Sequence, residues 1–219
     1  MQRRPSLRLS LPLAFIVSLA SSCASPTVEL RRGDVTVEPT RVVLLPASCA
    51  SIESLCTDAH VTASTQIVAK ELSFAGFLVV DAEKLAVDAR LKPGVDPALR
   101  ALGERVLRAG NKRQVGATFE DLSPAARSAL LVEGESTGTV SVRLTVDNEG
   151  ALGRDAEVML RYGHGADDAL AFVSRCATTV GPGGELTDGF AEAAQCAIAG
   201  ALAPSSTSKA ETKDARPPS

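Results

Sequence analysis

The chain is short of aromatic residues. Only 3% of its 219 residues are Phe, Tyr or Trp, with a single Tyr and no Trp. That is a poor supply for a surface that stacks bases or sugar rings, which weakens nucleic-acid and lectin-like readings. Histidine is equally scarce. His60 and His164 are the only two, which excludes multi-His metal sites. An excess of charge of one sign is missing as well: Lys plus Arg is 23, Asp plus Glu is 26, and the formal net charge is -3. A nucleic-acid binder normally shows a basic face. There is no Cys-x-x-Cys and no internal repeat. What the chain does have is 45% hydrophobic content, enough for a real core and against wholesale disorder. The length suggests one domain with tails.

The amino terminus reads as an export signal. Arg3, Arg4 and Arg8 precede an apolar run from Leu9 to Ala20. The run is shorter than the roughly 20 residues a bilayer-spanning helix needs, and it suits a signal h-region. Ala20-Ser21-Ser22-Cys23 resembles a bacterial lipobox, with Ala20 where Leu is usual. The resemblance implies cleavage before Cys23, diacylation of its thiol and acylation of the new terminus. Two acyl chains would meet the two-signal requirement for stable anchoring. Ala24 and Ser25 stand where Asp would retain a lipoprotein in the inner membrane of a diderm bacterium, which implies the outer membrane, facing the periplasm. The alternative is a plain signal-peptidase cut and a soluble periplasmic protein. Arg3-Arg4 also resembles a twin-arginine signal. Residues 1–22 carry three Arg and no acid, so their removal takes the net charge from -3 to -6. The acyl chains, not the protein surface, would then hold the chain to an anionic membrane.

Beyond Cys23 lie Cys49, Cys56, Cys176 and Cys196. An even number in an exported chain suggests two disulfides, with three possible connectivities. Local pairing is favoured: Cys49 and Cys56 share one loop, and Cys196 falls on an expected helix that should return across the expected strand holding Cys176. The spacings match no common zinc ribbon, so no metal or other cofactor is expected.

The organisation expected is a signal peptide at 1–22, a tether at 23–40, a single α+β domain at 41–203 and a disordered tail at 204–219. The tail, PSSTSKAETKDARPPS, lacks large apolar groups. Arg41-Val-Val-Leu-Leu-Pro46 reads as a buried strand, and 47–60 as a loop. Val61–Phe77 has the apolar stripe of an amphipathic helix, and Phe77–Val80 reads as a second strand. The helical crossover between the two implies parallel pairing. Asp81 is placed to cap a short helix, and Asp96-Pro97 and Ser123-Pro124 each pair an N-cap with Pro at N1. From Thr139 the period changes to two: Val140, Val142, Leu144 and Val146 alternate with Ser141, Arg143 and Thr145. Two more strands follow, then a helix from about Thr187 or Asp188 to Leu202. The sum is one mixed β-sheet, a β-α-β start and an antiparallel meander, covered by helices.

A lipoprotein signal, RVVLLP, an apolar-striped helix and FAGFLVVDAEKL together resemble the periplasmic α/β domains of envelope-assembly lipoproteins. These are the curli-secretion type, the penicillin-binding-protein activator type and the amino-terminal domain of the Tol–Pal propeller protein. Closest in pattern is a family of bacterial lipoproteins of unassigned function. The resemblance covers about 41–90, and 139–202 in pattern only. It implies an envelope protein with no catalytic residues.

Three features invite chemistry. Gly134-Glu-Ser136-Thr-Gly138 matches the G-x-S-x-G pattern of serine hydrolases, and Asp155 and His164 follow in the order a triad requires. A nucleophile elbow needs a strand before its Ser and a helix after it, whereas a period-two strand follows here, so a bend into a strand is expected. His164, near Asp167 and Asp168, reads as a loop residue. Gly181-Pro-Gly-Gly184 has no Lys-Ser/Thr after it and reads as a loop, not a phosphate cradle. The 139–162 hairpin carries Arg143, Asp155, Glu157 and Arg161 on its wet face, so it suits no lipid-facing barrel wall. The function these readings support is a non-catalytic, lipid-anchored envelope lipoprotein, a protein-binding or assembly module whose partners are the membrane and another envelope protein, with no nucleic acid. The alternatives are a small-molecule or peptidoglycan-binding protein and, more remotely, a serine esterase through Ser136.

Overall fold

The computed structural model describes residues 27–33, 40–50, 56–110, 112–147 and 153–202. Cys23, the signal peptide and the 204–219 tail lie outside them. The fold is α+β: a seven-stranded mixed sheet with six helices among the described residues. The elements in chain order are β1 (Thr27–Arg32), β2 (Arg41–Leu44), β3 (Ser48–Cys49), α1 (Asp58–Phe74), β4 (Leu78–Asp81), α2 (Ala82–Ala89), α3 (Pro97–Ala109), α4 (Lys112–Glu120), α5 (Pro124–Glu133), β5 (Gly138–Asp147), β6 (Arg154–His164), β7 (Ala169–Val180) and α6 (Leu186–Leu202).

The sheet order is β1-β7-β6-β5-β2-β4, with β3 paired to β5 off that path. β2 pairs in parallel with both β4 and β5, as the β2–α1–β4 crossover requires. The meander β5–β6–β7 is antiparallel throughout, and β1 closes that flank antiparallel to β7.

Helix boundaries follow the capping chemistry. Asp96 and Ser123 accept backbone N–H bonds from Ala98 and Ala126 ahead of Pro97 and Pro124. Asp81 accepts from the N–H groups of Glu83 and Lys84. Gly110 ends α3 in the left-handed region at φ 77, where a missing Cβ avoids strain.

Four expectations shift. Thr27–Arg32, expected within the tether, is a paired strand: Val28 and Leu30 alternate with Glu29 and Arg31, and a free edge of β7 is available to them. α1 starts at Asp58 rather than near Val61, because Thr57 and His60 form a reciprocal capping box. β3 lies inside the expected 47–60 loop. α4 falls in what was expected to be a connection; Val115 and Phe119, one turn apart, are both buried and supply its tertiary anchor.

Two apolar clusters form on the two sides of the sheet. The larger unites β2, β5, β6 and β7 with α1 and α6. The smaller unites Val43 and Leu45 with α2, α3, α4 and α5. Helix α6 approaches the sheet closely through Gly189, Ala193, Ala194, Ala197 and Ala201, and Ser174 Oγ donates to the Ala197 carbonyl at 2.7 Å. Disulfides Cys49–Cys56 and Cys176–Cys196, with Cα atoms 6.3 and 6.1 Å apart, pin β3 to the start of α1 and β7 to α6.

Candidate functional site: the open sheet face

Helices α2–α5 stack over β2 and its neighbourhood, and their apolar cluster contains no residue of β5, β6 or β7. Among the described residues, the outer face of β5, β6, β7 and β1 therefore carries no helical layer. Antiparallel strands tolerate this when the outer positions are polar.

The registers arrange that face in rows across the strands. Ser141, Arg161, Val173 and Arg31 form the first, and Arg143, Met159, Arg175 and Glu29 the second. Thr145, Glu157 and Ala177 form the third, and Asp147, Asp155 and Thr179 the fourth. Neighbouring strands lie about 4.8 Å apart, so the first two rows gather four guanidiniums and the Glu29 carboxylate, and the last two gather three carboxylates. Within the face, Arg175 approaches Glu157 at 3.5 Å and Glu29 at 4.0 Å. The Thr179 hydroxyl donates to Asp155 at 2.6 Å. Asp147 and Asp155 are direct register partners.

At the basic end, a cleft of about 410 Å³ lies between this face, Leu45, Ser48 and the α4–α5 turn, lined also by Thr139, Arg127, Arg161 and Asp168. The Asp168 carboxylate takes two guanidiniums. Arg161 reaches it through bonds of 2.8 and 2.7 Å, and Arg127 forms a second ion pair with the same group. Asp168 sits at φ 59, a conformation that Asp adopts more readily than most residues. This constellation joins residues 127, 161 and 168 from three segments, and it was not found from sequence. A hollow of about 330 Å³ beside Arg31, Val173 and Arg175 marks the β1 end of the face. A third cleft, about 620 Å³, lies elsewhere, among α1, α2, α3 and α4, with Asp58, Asp81, Glu83 and Asp88 around Val87, Val106 and Val115.

The residues singled out for chemistry do not assemble. Ser136 follows helix α5 and precedes strand β5, the reverse of an elbow, and its hydroxyl donates to the Gly134 carbonyl at 2.9 Å. His164 ends β6 beside Tyr162, with ring centroids 6.3 Å apart. Asp155 lies at the other end of the same strand, about 30 Å away at 3.3 Å per residue. His60 is elsewhere again. Its Nδ1 accepts from the Thr57 N–H at 3.2 Å, and its ring lies 5.7 Å from that of Phe190. Burial pushes its pKa below the usual 6.5. Among the described residues no group of three or more His, Cys, Asp or Glu is placed to hold a metal ion, and no helix is long and apolar enough to cross a membrane.

No family model matches the chain, and no curated protein matches it. Among solved structures, it is similar to the PelC dodecamer from Paraburkholderia phytofirmans at 11% identity and a TM-score of 0.45, covering 78% of this chain and 97% of that one. A point variant of the same dodecamer in another crystal form gives 11% identity and a TM-score of 0.42, over 81% and 96% of the two chains. Both TM-scores are below 0.5, and the likeness carries no argument about function.

Proposed function

We propose that the chain is a non-catalytic cell-envelope lipoprotein, anchored through acyl chains on Cys23 in the outer membrane and facing the periplasm, that binds another envelope protein through its open sheet face. The observation that carries this reading is the face itself: four strands wide, uncovered by any described helix, and bearing four arginines and four carboxylates on its outward positions. Such a surface suits protein recognition, where charge complementarity sets orientation and partner choice. The two disulfides support an oxidising, extracytoplasmic compartment.

Two experiments test the reading. Intact mass with membrane fractionation, on wild type and Cys23→Ala, should show a triacylated species that begins at Cys23 and is lost in the variant. An unlipidated soluble species, the same in both, would remove the anchor. Photo-crosslinkers placed at Arg143, Glu157 and Arg175 should capture a discrete partner band, while crosslinkers on the outer surface of α3 should not. Equal labelling from both surfaces would remove the face from the proposal.

A second reading, a small-molecule or peptidoglycan binder, draws on the 620 Å³ cleft, where four carboxylates and one lysine, Lys84, surround an apolar floor, a net acidic lining that suits a cationic amphiphile. Thermal shift against a ligand panel separates the two.

A further inference from the structure

We infer that the free edge of β1 rests on the phospholipid surface, so that the domain lies on its flank beside its own anchor and the open face stays clear of the lipid. The inference deepens the proposed function and rests on its reading of Cys23 as acylated.

Chain length limits the geometry. β1 begins at Thr27, four residues beyond Cys23. An extended chain spans at most about 3.6 Å per residue, so Thr27 stays within about 14 Å of the acylated residue. A tether that short holds one corner of the sheet against the headgroups. At that corner Thr27 lies beside Ala177 of β7, and Val180 of β7 lies beside Arg154 of β6. From there the domain can meet the surface with the end of its strands, with its open face or with the free edge of β1.

Side-chain chemistry separates the three. The strand end carries Asp155 beside Arg154, and Glu185 and Asp188 follow where the chain turns from Val180 into α6. That end is net acidic, and an anionic phospholipid surface repels it. The open face carries four arginines and four carboxylates. Two of those arginines are already held, Arg161 by Asp168 and Arg175 by Glu157 and Glu29. That face offers the lipid no net charge.

β1 differs from both. Its side chains from Val28 to Arg32 are all exposed. Val28 and Leu30 lie on one side of the strand, 44% and 39% exposed. Val28 leans on Gly200, where an added Cβ would stand 2.5 Å from Val28 Cγ1. α6 ends soon after, at Leu202, so its cover of β1 is partial. Arg31 and Arg32 follow directly, and the one acid of the strand, Glu29, lies 4.0 Å from Arg175 of β7. Acyl chains, apolar side chains and cationic side chains thus follow one another along one short stretch. That combination holds peripheral proteins on anionic bilayers. The mature chain is acidic overall, but salt limits the reach of each charge to about 10 Å. The charge nearest the lipid therefore decides the contact.

The test uses the full mature chain, its acylation shown by intact mass. It is placed in vesicles of phosphatidylethanolamine and phosphatidylglycerol that contain a lipid with a nitroxide on its headgroup. A fluorophore is attached to one introduced cysteine at a time: Arg31→Cys in β1, Arg154→Cys in β6, Arg143→Cys in β5 or Leu78→Cys in β4. The first of these gives up one of the edge's own charges and so works against the expected result. With β1 on the surface, the other three stand about 10, 14 and 24 Å above it, at 4.8 Å per strand. Quenching should fall in that order, from position 31 through 154 and 143 to 78, with the first at least about threefold above the last. Stronger quenching at 154 than at 31 means that the domain stands on its strand ends. Quenching at 143 equal to that at 31 means that it lies on its open face. Equal quenching at all four sites means that it tumbles on its tether. Each of these overturns the inference.

Val28→Asp/Leu30→Asp, with the fluorophore kept at position 31, should lose at least about half of the quenching there. Unchanged quenching in an acylated variant with unchanged circular dichroism overturns the inference; if the variant does not fold, the four-site comparison decides alone. An intact mass without acyl chains would remove the proposed anchor and this inference together. An acylated chain that tumbles would leave the anchor standing and remove this inference only.

Discussion

Removing the Cys176–Cys196 bridge tests the packing of α6 on the meander. The bridge closes a loop of 20 residues between the centre of β7 and the body of α6. In the chain-entropy model such a loop is worth about 3.3 kcal/mol, and the 7-residue Cys49–Cys56 loop about 2.4 kcal/mol. Cys176 is fully buried, and Cys56 is 1% exposed, so each Cys→Ala pair also loses about one buried sulfur's worth of packing, roughly 1 kcal/mol. The sulfur terms nearly cancel between the two pairs, which leaves the loop-length difference of about 1 kcal/mol as the expected margin. For a chain of this size the Cys176→Ala/Cys196→Ala variant should lose about 4 kcal/mol, and its Tm should fall by about 8–16 °C. The assay is urea unfolding and differential scanning calorimetry of both double variants, with wild-type thiols first shown to be unreactive to alkylation until reduced. A smaller loss for Cys176→Ala/Cys196→Ala than for Cys49→Ala/Cys56→Ala would refute the loop-length argument. A loss under about 1.5 kcal/mol would mean that α6 is held by packing alone.

Three further predictions concern separate parts of the fold. Gly103→Ala should destabilise by about 1–3 kcal/mol in urea melts, because a Cβ there meets the Ala86 carbonyl oxygen where α2 and α3 cross; a neutral result would mean that the crossing is looser than described. Asp168→Asn keeps a residue tolerant of φ 59 but removes the charge between Arg127 and Arg161, so stability should fall by about 1–3 kcal/mol and the loss should shrink in high salt; a variant as stable as wild type would sink this. The third is a pH effect at His60. Burial lowers its folded-state pKa below 6.5, so the unfolded chain binds more protons between the folded pKa and 6.5, and stability should rise with pH across that window and be fully present above it. The same protonation removes the Nδ1 acceptor of the Thr57 N–H. His60→Gln should flatten that part of the pH profile in urea unfolding, and a variant profile parallel to wild type would count against the assignment.

The sequence was most legible where local chemistry decides structure. Asp96-Pro97 and Ser123-Pro124 announced their helices because the cap and the fixed proline φ act within one turn. The β5 alternation was legible because Val140, Val142, Leu144 and Val146 all face one core. Elements that depend on distant partners were less so. α4, KRQVGATFE, has only Val115 and Phe119 to bury, and it becomes a helix by packing beside α3 and β3. β1 carries Glu29, Arg31 and Arg32 among its six residues, a polar edge typical of strands that must not recruit stray partners. The polar side of the β5–β6 hairpin was readable, but its extension across β7 and β1 into charged rows was not. A row exists only once the registers of four strands are fixed. For the same reason the Arg127–Asp168–Arg161 cluster escaped notice, since its three residues meet only after α5 is set against the β6–β7 turn.

The openness of that face follows from how the chain is apportioned. Between β4 and β5 the chain spends residues 82–137 on four helices, and their apolar residues converge on Val43 and Leu45 of the β2 region. After β5 a single helix, α6, remains among the described residues, and the inner face of the meander claims it through Phe190, Ala194, Ala197 and Ile198. The four-strand outer face is left without a cover, and solubility then demands polar residues at its outward positions. That demand accounts for the presence of charge. The signs also meet within the face: Arg175 lies 3.5 Å from Glu157 and 4.0 Å from Glu29, Thr179 donates to Asp155, and Arg161 is held by Asp168 at the rim, so much of the charge that solubility demands is also used to tie β1, β6 and β7 to one another.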